Sequence, residues 1–298
     1  IIRAIGEPED RFTEDYLRVL RAVRFAAQFD FTVEPETWEA MRKAAEGIVS
    51  VSKERIFQEL TKMLTGPHPA KAVQLLFEAG LLGVVLPEVR RLDGLEQPPE
   101  FHPEGDVLTH TIKALALLER RTPVAAWSAL LHDVGKPDTK SVTDRIRFNN
   151  HHRVGAGIAA KILRRYRAPK ALIDDVYACV DNHMNFMNVR GMRLGTLKKF
   201  LSRPTIEDEM ELHRVDCLSS HGDLDNYHFL RQKQQELAVE RLKPSPVLRG
   251  RDLIEIGMKP GPAFGRILSA VYDLQLDERI GDREEALAWV LAHRDEFA

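Results

Sequence analysis

The sequence has little of several features that would place it in a specialised class of protein. Only two of its 298 residues are cysteines, Cys179 and Cys217, which excludes a disulfide framework and favours a reducing, cytoplasmic compartment. No run of about 18 apolar residues is present, so we expect neither a membrane-spanning helix nor a membrane partner. The net charge is only −2, so the overall charge does not point to a nucleic acid.

Aromatic residues and β-type patterning are also scarce. Phe, Trp and Tyr make up 7% of the chain, and apolar and polar residues never alternate for more than a few positions. Helix-forming Leu, Ala, Arg and Glu are abundant instead. We therefore predict an all-α protein, long enough for two or more domains because one domain usually has about 100–200 residues.

Proline and glycine divide the chain, most clearly over 87–106 and 243–246. We predict four segments, 1–33, 34–100, 101–240 and 241–298. The first helix is predicted over 13–29, with Thr13 as its N-cap and Glu14 and Asp15 in its first turn. The chain begins Ile1-Ile2-Arg3 without methionine, and we expect it to start partway through a longer polypeptide.

Histidines are concentrated in the third segment, where nine of the 11 lie between His102 and His228. A single histidine is more often a surface or core residue than a ligand. However, His132-Asp133 is an adjacent pair after an apolar helix, and an imidazole beside a carboxylate can hold a divalent metal. We predict a metal site here, with a purely structural bundle as the alternative.

The pattern His110, His132-Asp133 and Asp216 resembles the HD superfamily of metal-dependent phosphohydrolases. The resemblance implies a helical bundle with a divalent ion (Mn, Ni, Co, Fe or Mg), and Lys136 as a catalytic residue beside a phosphate oxygen. It also implies further ligands that complete a two-metal site, while Asp175 and Asp181 compete with Asp216 for the last position. The implied ligands are His110, His132, Asp133, His152, His183 and Asp216.

The stretch from Arg11 to Phe25 carries a second pattern. A salt-bridged solvent face is the plain interpretation of its charges. The stretch also closely resembles the neck motif of class II CCA-adding enzymes (tRNA nucleotidyltransferases) and bacterial poly(A) polymerases, which implies that it reads the incoming nucleotide. The implied nucleotide-binding residues are Glu14, Asp15, Arg18 and Arg21, with Asp15 and Arg18 predicted to pair.

The chemistry of these side chains suits such a reader. Arginine offers only hydrogen-bond donors and aspartate only acceptors. Together they match the edges of cytosine and adenine, whereas G or U would leave a buried group unpaired and would be rejected. CTP and ATP are therefore the expected nucleotides.

The resemblance extends along nearly the whole chain. It implies a neck over 1–33, body helices (RNA/SrmB-like) over 34–100, an HD domain over 101–240 entered at Phe101–Asp106, and a tRNA-binding tail over 241–298. The family's catalytic head, with its D-x-D pair and Mg²⁺ ions, would precede residue 1. We interpret Asp223-Leu224-Asp225 as a decoy, so this chain alone is not expected to transfer nucleotides.

One local bias in charge supports an RNA partner. Residues 145–170 contain eight Lys or Arg and no Asp or Glu, which is typical either of a solvated helix face or of a surface that follows phosphates. Recognition by shape and backbone would suit a tRNA acceptor arm. The predicted RNA-binding residues are Arg153, Lys161, Arg164, Arg165, Arg167, Arg249 and Lys259.

Our main interpretation is thus the body of a tRNA nucleotidyltransferase or poly(A) polymerase-like protein that carries an HD phosphohydrolase domain. The first alternative is a stand-alone HD phosphohydrolase acting on cyclic nucleotides or RNA ends. The second is a non-catalytic RNA-binding protein. The neck motif is shared by enzymes that add CCA, part of CCA or poly(A), and the patterns set neither the metal, the HD substrate nor the oligomeric state.

Overall fold

The computed structural model describes residues 1–97, 105–237 and 242–297. Helices dominate these residues, and the strands are two three-residue segments, so the all-α prediction is confirmed. None of the described helices has both the length and the apolar character needed to cross a membrane. The predicted boundaries at 100/101 and 240/241, and the predicted HD entrance at 101–104, lie outside the described residues.

The first half of the chain is a succession of helices that ends in a small hairpin. Strands β1 (Lys140–Val142) and β2 (Ile146–Phe148) pair antiparallel, with Ser141 opposite Arg147. A 3-10 helix, Ala45–Ser50, lies between the third and fourth helices. The helices are α1 (Pro8–Glu14), α2 (Leu17–Gln28), α3 (Pro35–Lys43), α4 (Lys53–Leu64), α5 (Pro69–Glu78), α6 (Leu81–Val85), α7 (Pro87–Arg90), α8 (Val107–Ala116), α9 (Pro123–Leu131) and α10 (Lys136–Thr139).

In the second half, the regular elements among the described residues are all helices. Two further 3-10 helices are His183–Gly191 and Arg294–Phe297. The α-helices are α11 (His151–Arg165), α12 (Lys170–Asn182), α13 (Leu194–Leu201), α14 (Ile206–Ser219), α15 (Asp225–Glu236), α16 (Gly250–Glu255), α17 (Pro262–Leu276) and α18 (Arg283–His293).

The chain forms two compact units. The first comprises Ile1–Phe186 and Glu207–Leu224, and the second comprises Met187–Ile206 and Asp225–Ala298. The charged residues of the first segment and the predicted metal ligands belong to the first unit, whereas His228, Arg249 and Lys259 belong to the second. The finer division into four segments stays a prediction.

One apolar core joins the body helices to the histidine-rich region of the first unit. Trp127 of α9 is fully buried, stacks on Phe57 of α4 at 5.8 Å between ring centroids, and donates its indole N–H to Thr61 at 3.1 Å. Burying such a large ring strongly favours folding, and the hydrogen bond satisfies its polar atom. Helix α9, which precedes His132 and Asp133, is therefore anchored on α4.

The predicted continuous helix over 13–29 is wrong, because the chain leaves the helical conformation at Asp15. The backbone of Asp15 is extended (φ −155°, ψ 101°), and its carboxylate accepts a hydrogen bond from the Leu17 N–H at 3.1 Å. A short polar side chain that bonds a nearby N–H competes with helix continuation. Thr13 does not cap a helix; its hydroxyl donates to the Asp10 carbonyl.

Gly135 allows the loop after α9 to lie directly against the start of α11. A Cβ atom at this position would be 2.2 Å from the His151 carbonyl oxygen and 2.5 Å from the Gly155 nitrogen, both backbone atoms. No other residue fits such a close approach without moving the backbone. The residues that follow α9 are thereby held beside the first turn of α11.

Candidate metal centre and acidic turn

Six side chains from five helical elements converge in the first unit, and we call them the candidate metal centre. His110 is on α8, His132 and Asp133 follow α9, and the others come from α11, the end of α12 and α14. Their ligand atoms form two groups, each within 4.8 Å, and most of the side chains are buried. The groups are His110 with His132 and Asp216, and Asp133 with His151 and His183.

Backbone carbonyls fix the proton position on three of the imidazole rings. In each, Nδ1 lies within hydrogen-bond distance of the carbonyl three residues earlier. A carbonyl only accepts, so Nδ1 carries the proton and the neutral ring presents the Nε2 lone pair to the centre. The pairs are His132 with Ala129 at 2.9 Å, His151 with Phe148 at 2.8 Å and His183 with Val180 at 2.7 Å.

The fourth ring is oriented by Ser219, a residue that the sequence did not single out. The Ser219 hydroxyl donates to the Asp216 carbonyl at 3.0 Å, so its oxygen is left to accept from Nδ1 of His110 at 3.2 Å. His110 therefore also turns its Nε2 lone pair inward. An outer hydrogen bond of this kind commonly fixes the tautomer of a metal-ligating histidine.

The atoms that meet at the centre are consequently all acceptors. The Nε2 atoms of His110 and His132 are 3.3 Å apart, those of His151 and His183 are 3.1 Å apart, and Asp216 Oδ1 is 3.1 Å from His110 Nε2. Burial and the neighbouring histidines lower the pKa of His183 to about 3, so protonation of His183 does not relieve its repulsion with His151 at neutral pH. A metal about 2.0–2.1 Å from two ligand nitrogens accounts for such spacings, and the donor set fits divalent ions.

Asp133 belongs to the second group and also approaches the first. Its Oδ2 is 3.2 Å from His132 Nε2, and its Oδ1 is 3.5 Å from His151 Nε2. One carboxylate with an oxygen toward each group is the arrangement that bridges two metal ions. Lys136, buried beside it, places its ammonium 2.7 Å from Asp133 Oδ2.

The structure brings five of the six predicted ligands together and places His151, not His152, in the remaining position. His152 is half-buried, and the centroid of its ring is 6.2 Å from that of His183. Adjacent residues on a helix differ by about 100° in direction, so only one of the pair can face the centre. Asp175 and Asp181 belong to neither group. The ligand roles themselves stay predictions.

The break between α1 and α2 forms what we call the acidic turn, Glu14 and Asp15. Arg18 donates through Nη1 to the Glu14 carboxylate and, at 2.8 Å, to the Arg11 carbonyl. The predicted pair between Asp15 and Arg18 is not the one that forms. Arg21 is exposed on α2, and its charge helps to lower the pKa of Asp15.

Asp15 pairs instead with Arg55 of α4, which sequence reasoning missed. Its Oδ2 accepts from Arg55 Nη2 at 2.8 Å, while its Oδ1 accepts from the Leu17 N–H. Partial burial favours protonation of Asp15, but these hydrogen bonds outweigh it and hold its pKa below the usual value. No local signal links positions 40 residues apart, so only the fold reveals this contact.

The predicted RNA-binding residues of the first unit separate into two kinds. Arg165 pairs with Glu88 through two contacts, at 2.6 and 3.0 Å, and Arg167 pairs with Glu54 at 2.6 Å. The other three are exposed on one side of α11 and form no ion pair with another described residue. We call them the basic face: Arg153, Lys161 and Arg164. Arg249 and Lys259, in the second unit, are exposed.

Comparison with known proteins matches two family models. Residues 30–92 match a "probable RNA and SrmB-binding site of polymerase A", and residues 107–220 match the HD domain. Among curated proteins, the chain is 32% identical to an A-adding tRNA nucleotidyltransferase of Deinococcus radiodurans, over 97% of this chain and 70% of that protein. It is 33% identical to a CC-adding tRNA nucleotidyltransferase of Thermus thermophilus, over 96% and 68%.

Solved structures show the same fold. The Bacillus stearothermophilus CCA-adding enzyme in complex with CTP superposes with a TM-score of 0.71 at 23% identity, over 99% of this chain and 66% of that one. The Thermotoga maritima CCA-adding enzyme complexed with tRNA gives 0.53 at 20% identity, over 95% and 62%. The chain thus spans about two thirds of the length of these proteins.

Proposed function

Because this chain belongs to the tRNA nucleotidyltransferase family and carries an HD domain, we propose that it selects the nucleotide and binds the tRNA during 3′-end addition. The observation that carries this proposal is the acidic turn, where the Arg18 N–H donates to the Asp15 carbonyl at 2.9 Å and the two charged groups are fixed by different partners. The phosphoryl transfer itself is assigned to an Mg²⁺-dependent head of the kind that the family resemblance implies.

Both side chains keep the hydrogen-bonding capacity that base reading needs. The bonds of Arg18 described above use only Nη1, which leaves the donors on Nη2 and Nε for the acceptors of a base. Each oxygen of Asp15 accepts one bond and has a second lone pair for an exocyclic amino group. On their pairing edges cytosine and adenine carry such an amino group beside a ring acceptor, whereas guanine has a ring donor there, so CTP and ATP are the proposed nucleotides.

Nucleotide addition tests this assignment, and it is measured with the full-length native polypeptide, which is proposed to include the catalytic head. We expect the wild type to incorporate C or A over G and U, and Asp15→Ala to lose about tenfold or more of that discrimination, because a missing acceptor leaves the base amino group unpaired. Arg42→Ala, an exposed change on α3, serves as the control. Unchanged fidelity in Asp15→Ala would show that the acidic turn does not read the base.

The basic face is proposed to bind the tRNA backbone, together with Arg249 and Lys259 of the tail. Its three cations have no carboxylate partner among the described residues, so they remain available to phosphates. Arg165 and Arg167 take part less, because each is already neutralised by a glutamate. The acceptor arm is the part of tRNA that 3′-end addition requires.

The candidate metal centre supports a second activity, a metal-dependent phosphohydrolase. Its six ligand side chains offer acceptors, and Asp133 approaches both groups, which favours two divalent ions. Metal analysis identifies them among Mn, Ni, Co, Fe and Mg. When bound, such ions activate water and stabilise charge on a phosphoryl group. Lys136 and Ser219 keep Asp133 and His110 in position.

Metal analysis and hydrolysis of 2′,3′-cyclic nucleotides or of RNA ends test this second proposal. We expect close to two divalent ions per chain and hydrolysis that stops when they are removed. A chain that purifies without metal and binds none on titration would make the bundle purely structural.

We also infer a cytoplasmic location. Both cysteines are free thiols, and both are buried. Reduced thiols are the rule in that compartment. Fractionation of the source cells tests the assignment.

A further inference from the structure

The buried ammonium of Lys136 lies between two acceptors. Asp133 Oδ2 is 2.7 Å from it, and the amide oxygen of Gln97 is 2.6 Å from it on another side. Gln97 is only 4% exposed and precedes α8, outside the 107–220 match to the HD domain. The body region therefore contributes a polar side chain to the surroundings of the metal centre.

This contact fixes the orientation of the Gln97 amide. A lysine ammonium has only donors, so the amide oxygen must face Lys136 and the NH₂ group must face elsewhere. That nitrogen is buried and finds no acceptor among the residues that the structure describes. A buried donor without a partner is costly to the folded state, and such groups commonly meet a ligand or a bound water.

The surroundings indicate which ligand would supply the acceptor. The Lys136 ammonium contacts both the Gln97 amide oxygen and the carboxylate of Asp133, one of the six side chains of the metal centre, so Gln97 is one residue removed from the centre. The oxygens of a phosphoester are acceptors only and carry negative charge. An uncharged NH₂ group fixed beside a lysine ammonium suits them without adding a competing ion pair.

We propose that Gln97 is a substrate-binding residue of the metal centre, whose NH₂ group donates to a non-bridging oxygen of the phosphoester while Lys136 fixes the amide. This inference rests on the proposed phosphohydrolase function of the centre. It also implies that residues 107–220 alone form an incomplete substrate site, because the segment that follows α7 supplies one of the donors.

Phosphate binding provides a test that does not depend on turnover. The Mn²⁺-loaded chain is titrated with inorganic phosphate by calorimetry, and hydrolysis of bis(4-nitrophenyl) phosphate gives KM and kcat separately. Gln97→Glu keeps the shape and still accepts from Lys136, but it lacks the donors and is negative. We expect it to weaken phosphate binding at least tenfold, and Gln97→Leu to weaken it about fivefold, with the larger change in KM.

Two controls separate substrate binding from a structural role. Metal content and melting temperature are measured for every variant, and Gln28→Glu makes the same charge change at an exposed residue of α2. Both Gln97 variants should retain their metal, and Gln28→Glu should bind phosphate as the wild type does. A loss of phosphate affinity that only follows a loss of metal would overturn the proposal.

The outcomes also distinguish this inference from the function on which it rests. If the wild type holds metal but neither binds phosphate nor cleaves the diester, both proposals fail. If the wild type does both and the two Gln97 variants match it within twofold, only the role of Gln97 fails.

Discussion

The acidic turn and the metal centre lie in the same compact unit but are built in opposite ways. At the acidic turn, Glu14 and Arg18 are four residues apart and their side chains are 49% and 35% exposed. At the metal centre, His110 meets Asp216 from 106 residues away, and the imidazole of His110 is completely buried. A reader of exchangeable nucleotides must be open to solvent, whereas a tightly held ion needs preformed ligands kept from water.

This comparison predicts that changes at one site leave the other intact. The largest effect is expected for His132→Ala combined with Asp133→Ala, because this variant removes a ligand from each group. Hydrolysis should fall by about 100-fold or more, and the metal content should drop. Discrimination between CTP and GTP by the native polypeptide should change by less than twofold. Unaltered metal content in this variant would mean that the centre is wrongly placed.

Removing the metal from the wild type should have the next largest effect. Ligands that bind only the folded state add about 2.7 kcal/mol at 100 times their Kd, so a chelator should lower the free energy of unfolding by about 2–4 kcal/mol. The double variant should show no change with chelator, which makes it the matched control. Thermal unfolding with and without Mn²⁺ measures both, and an equal response from the two proteins would contradict the assignment.

A smaller effect is expected when the basic face is neutralised. Arg153→Ala, Lys161→Ala and Arg164→Ala together should weaken tRNA binding about tenfold and reduce the slope of log affinity against log salt by about 2, because fewer counterions are released. The matched control neutralises Arg165 and Arg167, which are already ion-paired. The tRNA affinity of both combinations is measured at several salt concentrations. If the two lose the same affinity, the unpaired cations of the basic face do not bind tRNA more strongly than the ion-paired ones.

The smallest effect is expected for Arg55→Ala, which removes one of the two groups that orient Asp15. Nucleotide discrimination should fall about fivefold, since a partly exposed ion pair contributes about 1 kcal/mol or less. Arg55→Lys should recover part of the loss. Incorporation assays with each nucleotide measure the change, and thermal unfolding checks that stability is retained. A fully faithful Arg55→Ala would show that Leu17 alone positions the carboxylate.

Much of the helical pattern could be predicted because it depends on neighbours in sequence. The all-α class follows from the abundance of helix-forming residues and the lack of alternation, and helices dominate the described residues. The single helix over 13–29 failed at Asp15, where one side-chain hydrogen bond competes with one more helical turn. The free energies of these two alternatives are too similar for the sequence pattern alone to decide between them.

The sites show the same division between local and distant information. The clustering of histidines in the sequence indicated the metal centre. The choice between His151 and His152 could not be predicted, because it depends on α11 beginning at His151. Arg55, Gln97 and Ser219 act on residues 39–109 positions away. Such contacts depend on how the helices pack and produce no periodic pattern in the sequence.

The contact at Gly135 gives the centre a mechanical property. His132 and Asp133 are fixed to the loop, His151 moves with α11, and only a hydrogen atom of Gly135 separates the two backbones. A methyl group at 135 would act as a wedge between the loop and α11, and it would move Asp133 away from His151, its partner in the second group of ligands. Residue 135 therefore governs whether that second group can close around one ion.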